Sequence, residues 1–188
     1  MQVIAYLTDG QLLEFSSSTS AHEEDILKEA SAGRLLLGKS LILGSGKSCT
    51  MLQTSAIARV DIVTDLPCSV PHSLDGRLEM IEDERRFQQL VENATAAHGD
   101  GISPGEEFDA YLTFRMSGKH LAHFSLHGVL QDQLQFFTNL RRVFDIPSLW
   151  FEHPRGGAIA INVANLIGIS SWPGFSQYPK GALLMSRI

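Results

Sequence analysis

The densest group of side chains able to do chemistry is a run of histidines, His120, His123 and His127. Neutral imidazole is the commonest side-chain ligand for transition metals. One reading of the segment is therefore a small metal-dependent hydrolase that draws a carboxylate from elsewhere in the fold. The surrounding residues read as a strand, and a strand's two-residue period puts His123 and His127 on one face and His120 on the other. Two strand positions four apart lie ~13 Å from each other, too far to chelate one ion alone. Solvent-facing strand histidines are the competing reading.

A second candidate is a pair of glycine-rich turns. Gly44, Gly46 and Lys47 occupy one, and Arg155, Gly156 and Gly157 the other. Each sets exposed backbone amides beside a cation, which suits a carboxylate or phosphate, so an anionic ligand or nucleic acid bound at the hairpin tips is a further reading. Hairpin turns also need glycine for purely conformational reasons.

Gly33 to Ser40 matches the phosphate-loop pattern of glycine, four residues, glycine, lysine and serine. A phosphate cradle must follow a strand and open a helix, so that amides and the helix dipole converge on the phosphates. Here the match follows a helix and enters a strand, with Leu35, Leu36 and Leu37 where a tight loop belongs. Cys68 lies near His72, but no feature supplies the oriented base and oxyanion hole that a thiolate nucleophile requires. Arg85, Arg86, Arg141 and Arg142 have acidic neighbours, and local salt bridges explain them about as well as any ligand does. No catalytic residue is assigned, and no cofactor is implied.

Composition narrows the classes. The chain has 188 residues, 44% hydrophobic and 19% charged, and a formal charge of −6. That balance repels polyanions at long range, which makes nucleic acid and anionic membranes poor partners. No stretch approaches the roughly 20 apolar residues of a spanning helix, and the N-terminus lacks the basic region of a signal peptide. Two cysteines, Cys49 and Cys68, are too few for a disulfide framework, so a reducing cytoplasm is the expected location.

The elements that must position these residues repeat. Ala5, Tyr6, Leu7 and Thr8 recur as Ala110, Tyr111, Leu112 and Thr113, and the elements that follow come in the same order. In the first copy, residues 3–7 and 11–15 form a hairpin around Asp9 and Gly10. Ser20 and Glu23 have capping-box spacing for a helix over 21–32 that Gly33 ends. Strands follow at 35–43, 48–52 and 56–63. In the second copy, strands are predicted at 108–115 and 120–126, a helix at 129–144 stopped by Pro147, and strands at 149–152, 158–162 and 166–170. Between the copies, an amphipathic helix is predicted over 78–97 from the spacing of Phe87, Leu90, Val91, Ala94 and Ala97.

The fold expected is α+β, a tandem duplication of a β-β-α-β-β unit whose small antiparallel sheets each carry one helix, joined by a linker helix in a pseudo-twofold arrangement. The first unit spans 1–66, the linker 67–106, the second unit 107–172, and a tail over 173–188 packs on the core or on a partner. The function expected is a non-enzymatic binding or regulatory module that self-associates as a homodimer, with a further protein partner possible. The metal-hydrolase and anion-binding readings are the alternatives.

Overall fold

The computed structural model describes residues 1–17, 20–45, 48–71, 78–97, 101–103, 105, 107–129, 132, 138 and 141–174. These form an α+β fold with mostly antiparallel sheets. The strands are β1 (Gln2–Leu7), β2 (Leu12–Ser16), β3 (Ser40–Ser45), β4 (Ser48–Gln53), β5 (Ile57–Val63), β6 (Leu78–Ile81), β7 (Glu107–Met116), β8 (Leu121–Val129), β9 (Ser148–Glu152), β10 (Gly157–Asn162) and β11 (Leu166–Trp172). The helices are α1 (Ser20–Ser31) and α2 (Glu84–Ala97).

A five-stranded sheet runs β2-β1-β5-β10-β9, a four-stranded sheet runs β11-β7-β8-β6, and β3 pairs with β4. The inner strands β5 and β10 of the central sheet are buried on both faces, and the alternation of its strands sorts the cores. Val3, Val60, Ile62, Trp150, Ala158 and Ala160 face one way and meet Leu27 and Ala30 of α1 and Leu41 and Leu43 of β3. Leu149, Phe151, Ile159 and Ile161 face the other way, against Leu112, Phe114, Met116, Ala122 and Phe124 of the four-stranded sheet. On that sheet's outer face α2 lays Phe87 and Ala94 against Tyr111. Two-residue periodicity on paired strands thus produces stacked layers without any long apolar run.

Glycine decides two of the tight approaches. Gly118 has φ 76, and a Cβ there would stand 2.5 Å from the Leu7 carbonyl oxygen and 2.9 Å from the Gly10 amide. The turn of one hairpin therefore sits directly on the turn of another. At Gly157, with φ 99, a Cβ would overlap the Ile62 carbonyl oxygen.

The segment expected to be one helix over 78–97 begins differently. Residues 78–81 form β6, antiparallel to β8 with Leu78 opposite Leu126 and Ile81 opposite His123. The helix starts only at Glu84, where the Asp83 carboxylate accepts hydrogen bonds from the Arg85 and Arg86 amides at 2.9 and 3.3 Å. Helical apolar spacing starts at Phe87, and an N-cap aspartate stops the helix extending backwards. Of the helix expected over 129–144, residues 130–131, 133–137 and 139–140 lie outside the described residues. Arg141 and Arg142 are helical, and Val143–Asp145 is a 3₁₀ turn. No helix among the described residues is long and apolar enough to cross a membrane.

Candidate functional site

β5 reads as an apolar strand broken by Arg59 and Asp61. Residues two apart on a strand share a face, so the two side chains meet where the central sheet packs on the four-stranded one. Arg59 donates from Nε to Asp61 Oδ1 at 2.6 Å and from Nη2 to Oδ2, a bidentate geometry suited to two planar groups. Both side chains are almost fully buried. Tyr6 lies opposite Arg59 in register. Its ring sits under the guanidinium at 4.6 Å, and its hydroxyl donates to Asp61 Oδ2 at 3.1 Å. Burial, reinforced by the Asp61 charge, pushes the Tyr6 phenol up to about 12, so it remains a donor at neutral pH. Met80 of β6 closes the group, its sulfur 3.6 Å from Arg59 Nη2.

The turn after β9 adds His153. Its Nδ1 accepts from the Arg155 amide at 3.1 Å, so in the neutral ring the proton sits on Nε2. Nε2 lies 3.9 Å from Asp61 Oδ2 and 3.8 Å from Glu82 Oε1 and has no hydrogen-bond partner. Burial is the larger influence and pulls the imidazole below its usual range, against the opposing pull of Asp61 and Glu82. At the rim, Arg155 Nε reaches Glu82 Oε1 at 3.2 Å, both side chains being about half exposed. A relay of charged and polar groups therefore runs from the buried Arg59–Asp61 pair, past His153, to the surface.

Glu82 also borders a cleft of about 710 Å³ on the outer face of the four-stranded sheet. Met80, Ile81, Leu90 and Tyr111 give it apolar walls, and Glu82, Asp83 and Asp109 line it with carboxylates against the single arginine Arg86. Phe87 and Tyr111 meet edge to face beside it, with ring centroids 6.3 Å apart.

The three histidines fall into three surroundings. His120 donates from Nε2 to the Leu7 carbonyl at 2.8 Å and meets Tyr6 edge-on. His123 stacks on Phe87 at 4.1 Å, with Nδ1 2.9 Å from Thr113 Oγ1, and burial lowers its pKa. His127 is exposed and lies 2.8 Å from Asp109 and 3.3 Å from Glu107. The hydrogen bond that the ring donates to Asp109 is the largest of the influences that raise its pKa. No group of three histidine, cysteine or carboxylate side chains among the described residues is placed to hold a metal ion.

At the glycine turns, Gly44 is exposed at the end of β3, whereas Gly46 and Lys47 lie outside the described residues. In the other turn the Gly156 amide donates to the His153 carbonyl at 2.9 Å and the Arg155 amide to the His153 ring. Gly156, with φ 85, sits against the Thr64 carbonyl oxygen, where a Cβ would come within 2.5 Å. These glycines are demanded by close backbone approach to the end of β5. At the phosphate-loop match, Gly33, at φ 68, ends α1 with its amide on Ala30 O and the next amide on Glu29 O.

No sequence motif joins Tyr6, Arg59, Asp61, Glu82 and His153. The available signal was the interruption of β5 by two opposite charges two residues apart. Against known proteins, the chain matches no family model, no curated protein and no solved structure, so its own residues carry the functional argument.

Proposed function

We propose that the chain is a non-enzymatic binding or regulatory module that self-associates, built by duplication of one unit. The duplication is supported by a constant step of 109 residues over the last three elements of each unit. β4, the 3₁₀ turn Thr54–Ala56 and β5 begin at 48, 54 and 57; β10, the 3₁₀ turn Val163–Asn165 and β11 begin at 157, 163 and 166, and each ends at the same step. Three pairings also recur: β1–β2 with β7–β8, β1–β5 with β7–β11, and β3–β4 with β9–β10. A pseudo-twofold axis between the units would require a β4–β11 pairing to match that of β5 with β10. Among the described strands β4 pairs with β3 alone, so the relation we propose between the units is head to tail.

The observation that carries the binding reading is the cleft beside α2. Several of its ionisable groups already have partners: His127 with Asp109, Glu82 with Arg155 outside the cleft, and Asp83 with the first amides of α2. Apolar walls under a rim richer in carboxylates than in cations suit a ligand with an apolar body and a positive charge. Phenethylamine is a simple probe of that chemistry. The reading predicts saturable amide shifts at Leu90 and Tyr111 in a nuclear magnetic resonance titration, abolished by Tyr111→Ala. Uniform or absent shifts would remove it. Sedimentation of the same sample tests self-association independently.

A further inference from the structure

The two units meet edge to edge through unlike strands. β5, the last strand of the first unit, pairs antiparallel with β10, the fourth strand of the second, with Val60 opposite Ala160 and Ile62 opposite Ala158. This leaves the counterpart of each strand at the end of a sheet. β11 corresponds to β5 and has only β7 beside it; β4 corresponds to β10 and has only β3 beside it, among the described residues. Both edges belong to surfaces with apolar character, since Met51 on β4 is 66% exposed and Ile167 on β11 is 65% exposed. A strand edge presents a row of backbone donors and acceptors ready to pair with another chain.

We infer that β11 of one copy of this chain pairs antiparallel with β4 of a second copy, in the register that β5 and β10 use inside the chain. The proposal rests on the duplication and self-association readings above and adds the surface, the direction and the register. Applying the step of 109 to the internal pairs sets Ile169 opposite Met51 and Ser171 opposite Cys49 of the neighbouring copy. Because the contact is heterologous, each copy offers one donor edge and one acceptor edge. Two copies joined at both edges close a ring of four units, and further copies enlarge it; a contact that failed to close would grow as a filament.

The native Cys49 thiol is exposed and free, which makes the register directly testable. Residues directly opposite on antiparallel strands have Cα atoms ~4.5–5.5 Å apart, within reach of a disulfide. The full chain carrying Ser171→Cys is oxidised mildly and run without reductant, beside Ser170→Cys and beside Ser171→Cys combined with Cys49→Ser. The unsubstituted chain is sedimented in parallel. The expected result is an oligomer in sedimentation and covalent dimers or ladders in the Ser171→Cys chain, reversed by reductant. Ser170→Cys, whose side chain points to the opposite face, and the chain lacking Cys49 stay at background. An oligomer without the Cys49-dependent cross-link overturns the strand pairing but leaves self-association standing. A disulfide within one chain overturns the proposal by joining β4 to β11 of the same copy. A monomer at all accessible concentrations overturns both readings together.

Discussion

His153 holds its Nε2 3.9 Å from Asp61 Oδ2 while its Nδ1 is already committed to the Arg155 amide. The ring is buried as a neutral donor, and burial lowers its affinity for a proton. An unfolded chain binds that proton near the ordinary histidine pKa of ~6.5, so between that value and the lowered folded one the unfolded state holds more protons. Stability is then full above ~6.5 and declines as pH falls toward the folded value. His123, also lowered by burial, acts in the same direction; exposed His127, raised by Asp109, acts in the opposite one. Urea midpoints at pH 7.5 and 5.5 should drop for the native chain and drop less for His153→Gln. An equal drop in both would assign the acid sensitivity elsewhere.

Asp61 is the only carboxylate hydrogen-bonded to Arg59 among the described residues, and both lie inside the interface between sheets. Removing one charge leaves the other buried without its partner, which costs about 3–5 kcal/mol in comparable sites. Asp61→Asn should therefore lower the denaturant midpoint sharply. The double replacement Arg59→Met with Asp61→Leu, which removes both charges, should recover most of that loss. Equal stability of the single and double variants would show that the pair is not what the site depends on.

Gly118 and Gly157 test the close approaches. Both take positive φ with a neighbouring carbonyl oxygen where a side chain would stand. Alanine at either position must strain the backbone and move that carbonyl, a loss of more than about 1 kcal/mol. Gly105, also at positive φ but with nothing within 4 Å of its Cβ position, supplies the comparison. Gly105→Ala should cost less than either, as read from thermal midpoints.

Most strands were legible in the sequence because their signals are local, but the strand expected over 35–43 starts only at Ser40, since residues 35–37 form a turn after α1. Asp9 and Gly10, the alternation of β7, and the glycines around β9 and β10 each fix a strand end within a few residues. β6 was not legible, since Leu78 to Ile81 become a strand only by pairing with β8, far along the chain. The site was half legible. Arg59 and Asp61 visibly break an apolar strand, but Glu82 and His153 reach them through tertiary packing that no periodicity encodes. The tyrosines of the two Ala-Tyr-Leu-Thr stretches show the same limit: Tyr6 contacts Arg59 between the sheets, whereas Tyr111 packs under Phe87 on the outer face.

The three histidines give the last prediction. His120 is held by a backbone carbonyl, His123 by Thr113 and Phe87, and His127 by two carboxylates. A metal ion needs converging donors at ~2 Å, and drawing these side chains together would break three separate sets of contacts. Zinc or manganese added to the purified chain should leave the thermal midpoint unchanged, because a ligand stabilises only in proportion to its preference for the folded state. A midpoint that rises with zinc and stops rising in His123→Ala would support the metal reading of this strand. A rise lost only in His127→Ala would point instead to surface binding between Asp109 and Glu107.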